Sequence, residues 1–472
     1  MKVFFRYSQL KFRVQFVSML KINFVIFSWI ATSTAYLFAK ETMNLPILSN
    51  KIAIPDQLLT RSQYGNFGGD IRIGDLSGND QIDFVVYRSI DGVKPCFIGA
   101  FDIKGQVLWQ IGKGGEQPLR PGPVAVYDID GDENTEVISF FHDSNITSSP
   151  ESLKDVYLQM LDGKTGEILK KSQPSQFFGI QGSGPNWVHQ RILITNLTGQ
   201  QTPHEFIIKL GKTILAFDDQ LRVMWTYTNP WDEYGHCPAY IPCVGDIDDD
   251  GKDEVNGGYF MLDDDGTVLW EKRLGKHMDS VTFAEWDNGN LRAFCSGYGH
   301  VMDHLGNVIV KLGPELVPHG QELRIAHFDN SVPGQQMMIR YNGHTPEVML
   351  VSQTGKQIRQ FRVNESPNNT GMEAIHWHGP DAPALLYNGG VLWKGNGEKF
   401  SDLPHLPAVK GDKKMGWYHC IPVDAYESPG EELLVYNPWD QYVLLYSKQS
   451  QGGATFKKFE AGPRQYNVRL MD

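Results

Sequence analysis

Three histidines, His236, His277 and His319, each stand ten residues before an aspartate, Asp246, Asp287 and Asp329. An imidazole changes charge near neutral pH, so three at one register point to general acid and base work. Tyr298-Gly299-His300 and Arg340-Tyr341-Asn342-Gly343-His344 occupy a second recurring position, and Trp417-Tyr418-His419 and Tyr436-Asn437-Pro438-Trp439 close the series. Arginine grips a carboxylate through a two-pronged fork, aromatic faces stack on sugar rings, and histidine or tyrosine moves protons. The expected reacting groups are therefore His236, His277, His319, Arg340 and Tyr341. Tyr298, His300, Asn342, His344, Trp417, Tyr418, Tyr436 and Trp439 are expected to hold a sugar acid.

A second chemistry is written in the acidic turns. Asp246, Asp248 and Asp250 alternate, Gly251 permits a sharp bend, and Asp253 or Glu254 closes the loop, the clustered oxygens that Ca2+ takes. Asp128, Asp130, Asp132 and Glu136 form a second such set; solvated hairpin turns are the alternative for both. The chain has five cysteines, an odd number without a disulfide framework, although Cys237 and Cys243 are near enough in sequence to pair. With His236 they offer three zinc ligands at a spacing that matches no standard finger.

The elements that must position these residues follow from an internal repeat. An acidic turn precedes an apolar strand at Asp75, Asp128 and Asp246, with weaker copies at Asn196, Asp287, Asp329, His378 and Asp424, eight in all. A second Asp- and Gly-rich turn follows each copy, as in Asp162-Gly163-Lys164-Thr165-Gly166 and Asp303-His304-Leu305-Gly306, ending with a degenerate one near Ser447. Trp109, Trp225 and Trp270 share one register in the fourth strand of three units. Such four-stranded units cannot bury both faces alone and must stack around an axis, which predicts an all-β, eight-bladed β-propeller. The loops before each first strand and after each second strand then share one rim, opposite the acidic turns.

The bulk composition agrees with this and bounds the function. Among 472 residues, 48 glycines and 26 prolines suit short strands and tight turns, and a net charge of −12 argues against general nucleic-acid binding. Residues 1–39 run basic, then apolar, then small, as an export signal does, so a secreted or periplasmic protein is expected; an uncleaved anchor, the only membrane contact foreseen, is the alternative. Residues 40–69 are expected to pack on the propeller as a leader, and 70–472 to form the propeller, as a monomer.

At Gly235-His236, Val244 through Glu254, Leu274-Gly275-Lys276-His277-Met278-Asp279 and Asp424 through Tyr436, the chain resembles the eight-bladed polysaccharide lyases of the rhamnogalacturonan lyase family. The propeller ulvan lyases are a more distant likeness. The resemblance implies calcium, an anionic polysaccharide as partner, and cleavage beside a uronic acid by β-elimination, with histidines at the His236 and His277 positions in the site or its metal. Arg340 would neutralise the uronate, one of the histidines would take the C5 proton, and Tyr341 would protonate the leaving oxygen. Two segments depart from the family pattern, Asn330-Ser331-Val332-Pro333 and Asn342-Gly343-His344-Thr345. A glycoside hydrolase and a non-catalytic, calcium-dependent glycan- or protein-binding propeller are the rivals.

Overall fold

Eight four-stranded antiparallel sheets account for all named strands of the computed structural model, which describes residues 45–53, 70–90, 94–112, 124–142, 156–180, 191–234, 237–367, 370–407, 418–436, 442–448 and 455–467. His236, Trp417, Trp439 and the expected signal, 1–39, lie outside the described residues. Seven sheets are continuous in sequence: 70–112, 124–172, 191–228, 243–271, 281–311, 323–362 and 372–402, blades 1 to 7. The first strands of successive blades contact one another around the axis, so the strand that leads into each acidic turn is the innermost. These strands belong to a compact unit, 47–472.

Blade 8 is assembled from both ends of that unit. Its three inner strands, His419–Val423, Glu432–Tyr436 and Tyr442–Ser447, are followed outward by Ile47–Ala53, paired antiparallel with Tyr442–Ser447. The turn near Ser447 therefore does not open a fourth strand, and part of the expected leader completes the last blade instead. An N-terminal strand in the last blade turns an open stack into a ring and removes its exposed edge.

Each blade is apolar on both faces because each is sandwiched. In blade 3, Phe206 and Ile208 join the cluster shared with blade 2, while Ile207 between them packs against Val255, Phe260 and Leu262 of blade 4. The outer strands add a staple. Trp109, Trp225 and Trp270 donate their indole N–H groups to the carbonyls of Gly163, Asp264 and His304, each in the next blade's outer turn. The turn glycine beneath each ring is required twice over. Gly306 has φ +74°, and a Cβ there would lie 2.8 Å from the Trp270 ring. Ile52, on the N-terminal strand, sits over Gly105 of blade 1 in the same way and carries the pattern across the seam.

Residues 455–467 cross the mouth of the channel on the acidic-turn side. Phe459 donates its backbone N–H to the Asp80 carbonyl, the side chain of Arg464 reaches Glu431 and the Ala374 carbonyl, Tyr466 lies edge-on to Tyr127, and Asn467 makes two 2.8 Å bonds with the backbone of Ile194. Below it lies an axial cavity of about 340 Å³, lined by Val244, Phe283, Ile325 and Ala374 and covered by Pro463 and Arg464.

Candidate functional site

Backbone bonds cross-link the loops that enter blades 5 and 6. Met278 N–H donates to the Pro238 carbonyl and Tyr240 N–H to the Met278 carbonyl, while His319 N–H reaches the Tyr341 carbonyl and Gly320 N–H that of Gly297. Such bonds set where the backbone carries each imidazole. His277 and His319 meet edge to face, His319 meets His344 at 6.1 Å between ring centroids, and Tyr240 closes on His277 at 5.5 Å. The structure thus brings His277, His319 and His344 into one chain of contacts on the rim opposite the acidic turns. All three rings are at least partly accessible.

The environment favours the neutral form of two of these rings, which leaves each with a nitrogen lone pair. Burial lowers the pKa of His277, helped by the positive charges of Lys276 and His344; burial lowers that of His319, helped by His277, Lys276 and His344. The amide nitrogen of Gln321 lies 3.1 Å from His319 Nε2 and can only donate, so that ring nitrogen accepts and the remaining proton sits on Nδ1. Asn342 donates to Glu347 at 2.7 Å, and Glu347 also faces Arg362. Burial and Glu347 push the Tyr341 phenol up, and its ring packs on the core between blades 5 and 6.

Several residues expected at this surface are elsewhere. Arg340 is wholly buried: Nε meets Glu322 Oε2 at 2.5 Å, and its two terminal nitrogens donate to the carbonyls of Glu365 and Thr370 at 2.7 and 3.1 Å. With every prong used inside, it cannot grip a substrate carboxylate. His300 is 1% exposed, lies edge-on to Tyr259, and has its pKa lowered to about 4 by burial and then Lys311. Tyr418 and Tyr436 are core residues; Tyr418, at φ +52°, donates to the Pro407 carbonyl, and Tyr436 stacks near His419. Tyr298 is half-buried, filling the space a side chain on Gly275 would need. Arg340 and Tyr436 close second strands, whose ends are polar in sequence yet buried here, whereas Tyr418 precedes the first strand of blade 8 and His300 opens the third strand of blade 5.

Counting back from the acidic turns also slips. Ala239, seven residues before Asp246, stands opposite Met278, nine residues before Asp287, so equal counts do not give equal heights. Tyr240, Gln321 and Lys276 escaped notice for that reason; their signal was only proximity in sequence to the histidines. The described cysteines, Cys237, Cys243, Cys295 and Cys420, are thiols and form no disulfide. Cys237 packs between blades 3 and 4 and Cys243 in the core of blades 4 and 5, which separates the two sulfurs expected to pair or to share zinc.

The opposite rim carries two oxygen clusters able to hold a metal ion: Asp128, Asp130 and Glu136, and Asp246, Asp248 and Asp250. Two buried oxygens there, Asp130 Oδ1 and Glu254 Oε1, have no hydrogen-bond partner, and carboxylate-only donors suit a hard divalent cation. Burial first, then the neighbouring aspartates, raises Glu136 and Glu254 to about 8, the strain that a cation would relieve. Asp132 is outside the first cluster and instead accepts the Asn134 N–H. Asp253 is outside the second: its carboxylate turns to blade 3, accepting from Asn196 N–H and Thr195 Oγ1. Glu254 spends Oε2 on the Ile247 N–H, a clamp made equally by Asp83, Glu136, Glu205, Gln336 and Glu432 in other blades. Neutral Gln336 does the same work, so the clamp itself needs no charge.

No family model matches the chain. Among curated proteins it is 25% identical over 274 residues to the rhamnogalacturonan exolyase YesX of Bacillus subtilis (strain 168), and 26% over 278 residues to the endolyase YesW of the same strain. Each alignment takes in 48% of this chain and 43% of the relative, so less than half of either relative's length is matched. The crystal structure of YesW superposes with TM-score 0.62 at 19% identity, over 86% of this chain and 76% of that one. A Bacillus licheniformis rhamnogalacturonan lyase gives 0.61, and the V. cholerae biofilm matrix protein Bap1 gives 0.55 at 12% identity, over 85% of this chain and 92% of that one. The chain is an eight-bladed β-propeller that structurally resembles the rhamnogalacturonan lyases.

Proposed function

We propose that this protein is an exported polysaccharide lyase that cuts an acidic, rhamnose-containing polymer by β-elimination beside a uronic acid. The observation that carries this is the contact chain of His277, His319 and His344 on one rim of a propeller with this likeness. β-Elimination needs a base for the C5 proton and an acid for the C4 oxygen. His277 is the base, its ring partly accessible and its neutral form favoured by burial, Lys276 and His344. Tyr341, whose raised pKa keeps its proton, is the acid. Asn342 and His344 border the sugar, and His236 stands in the same loop series. Ca2+ belongs at the two acidic clusters on the far rim, where it would tie turns together and take no part in proton transfer.

Two carboxylates of this rim are already engaged, Glu233 by Arg273 and Glu347 by Asn342 and Arg362, which counts against a hydrolase pair built on them. The likeness to a biofilm matrix protein supports a second reading, a propeller that holds an acidic polymer without cutting it. Incubation with rhamnogalacturonan, ulvan and alginate, followed by ultraviolet absorbance of unsaturated uronate, separates the two. New double bonds that vanish in His277→Ala support elimination; tight binding with unchanged polymer length supports the second reading.

A further inference from the structure

A uronate must be neutralised where it is cut, and with Arg340 buried the rim needs another cation. Lys276 is exposed, adjacent in sequence to His277, and its Nζ reaches across to the Pro318 carbonyl at 3.5 Å, next to His319. Its ammonium therefore spans the two loops whose imidazoles touch. Among the described residues, three other cations of this rim are already matched. Lys212 faces Asp232, Arg273 faces Glu233, and Arg362 faces Glu347. Among the described residues Lys276 Nζ meets just that long carbonyl contact, which leaves two of its three donors for a ligand.

Resting on the elimination reading, we infer that Lys276 receives the substrate carboxylate and so sets the preference of this site for uronic acids over neutral sugars. The same ammonium lowers the pKa of both His277 and His319, which places its charge close to each ring. A carboxylate docked on it would lie beside the base. Lysine acts here as a point charge on a flexible stem, so arginine should largely replace it.

The test is binding of a rhamnogalacturonan oligosaccharide and of the same oligosaccharide with its carboxylates reduced to alcohols, by calorimetry. Lys276→Gln should weaken binding of the acidic form by about tenfold or more, the worth of a charge-assisted bond. Binding of the reduced form should not change, and Lys276→Arg should restore most of the loss. Lys212→Gln, on the same rim but already paired, should leave both affinities as they are. Equal affinity for the acidic form in Lys276→Gln, or equal losses for both forms, overturns the assignment, as does an unmodified protein that binds neither. Formation of unsaturated products by the unmodified protein is read separately, so the elimination reading can fail while carboxylate recognition stands, and the reverse.

Discussion

The ring of His277 meets that of His319 edge to face, with centroids 5.3 Å apart and planes at 89°. Two imidazoles this close cannot both carry charge cheaply, and both are partly buried beside Lys276. Their NMR titration midpoints should therefore lie below the ordinary value of 6.5, and His344→Gln should move both upward. In the unfolded chain these rings take up protons first. Their contribution to stability is complete above about pH 6.5 and declines as pH falls toward the folded values. Glu136 and Glu254, raised to about 8, act in the opposite sense over this range, so the effect is read as a difference: the urea midpoint of the unmodified protein relative to that of His277→Gln should fall between pH 7.5 and 5, and parallel profiles contradict this.

Arg340 tests a different kind of importance. Removing one member of a buried pair leaves the other charge uncompensated, which costs about 3–5 kcal/mol. Arg340→Ala should lower the thermal midpoint sharply, since Glu322 would lose its guanidinium partner inside the core. Arg340→Met combined with Glu322→Leu should recover much of that loss. A variant as stable as the unmodified protein would mean that the guanidinium is not held inside.

At the acidic turns, a cation bound only by the folded state adds about 2.7 kcal/mol at a hundred times its dissociation constant. Chelator should lower the melting temperature and Ca2+ should restore it. Glu254→Gln keeps the clamp on Ile247 N–H, as Gln336 does on Phe328, yet removes a carboxylate beside Asp246, Asp248 and Asp250. Its melting should respond less to Ca2+, and Asp248→Asn together with Asp130→Asn should abolish the response. Identical calcium curves in all these proteins would rule out both clusters as the binding sites.

Ring closure rests on the seam between blades 8 and 1. Ile52 is 1% exposed, joins a core shared by the two blades, and sits over Gly105. Ile52→Ala should cost about 2–5 kcal/mol, as truncation of a buried isoleucine does. Gly105→Ala, at φ +88° with its Cβ 2.9 Å from Ile52, should be destabilising too. Amide exchange should speed up in Tyr442–Ser447 in both variants; unchanged protection there would place the weak point of the ring elsewhere.

Much of this molecule is written in local sequence. Gly105, Gly166, Gly266 and Gly306 follow short Asp-rich turns because the turn needs a positive φ, and that requirement acts within four residues. The alternation of Phe206, Ile207 and Ile208, apolar without interruption, is the mark of a strand covered on both faces. Such signals fix the number of blades and, in blades 1 to 7, the order of strands; the N-terminal strand of blade 8 is not among them. Asp128 and Asp246 are legible for the same reason, since their partners lie within a few residues in the chain.

What the tertiary structure alone decided is depth and pairing between distant segments. Whether Arg340 faces solvent or Glu322 depends on loops from blade 7 that cover it, and the sequence around Arg340 is the same in either case. The contact of His277 with His319 depends on how far each loop leans inward, which the slip between Ala239 and Met278 shows is not fixed by residue count. Local conformation follows from a few adjacent residues, whereas burial and side-chain proximity are sums over the whole ring, which exist only once the ring has closed.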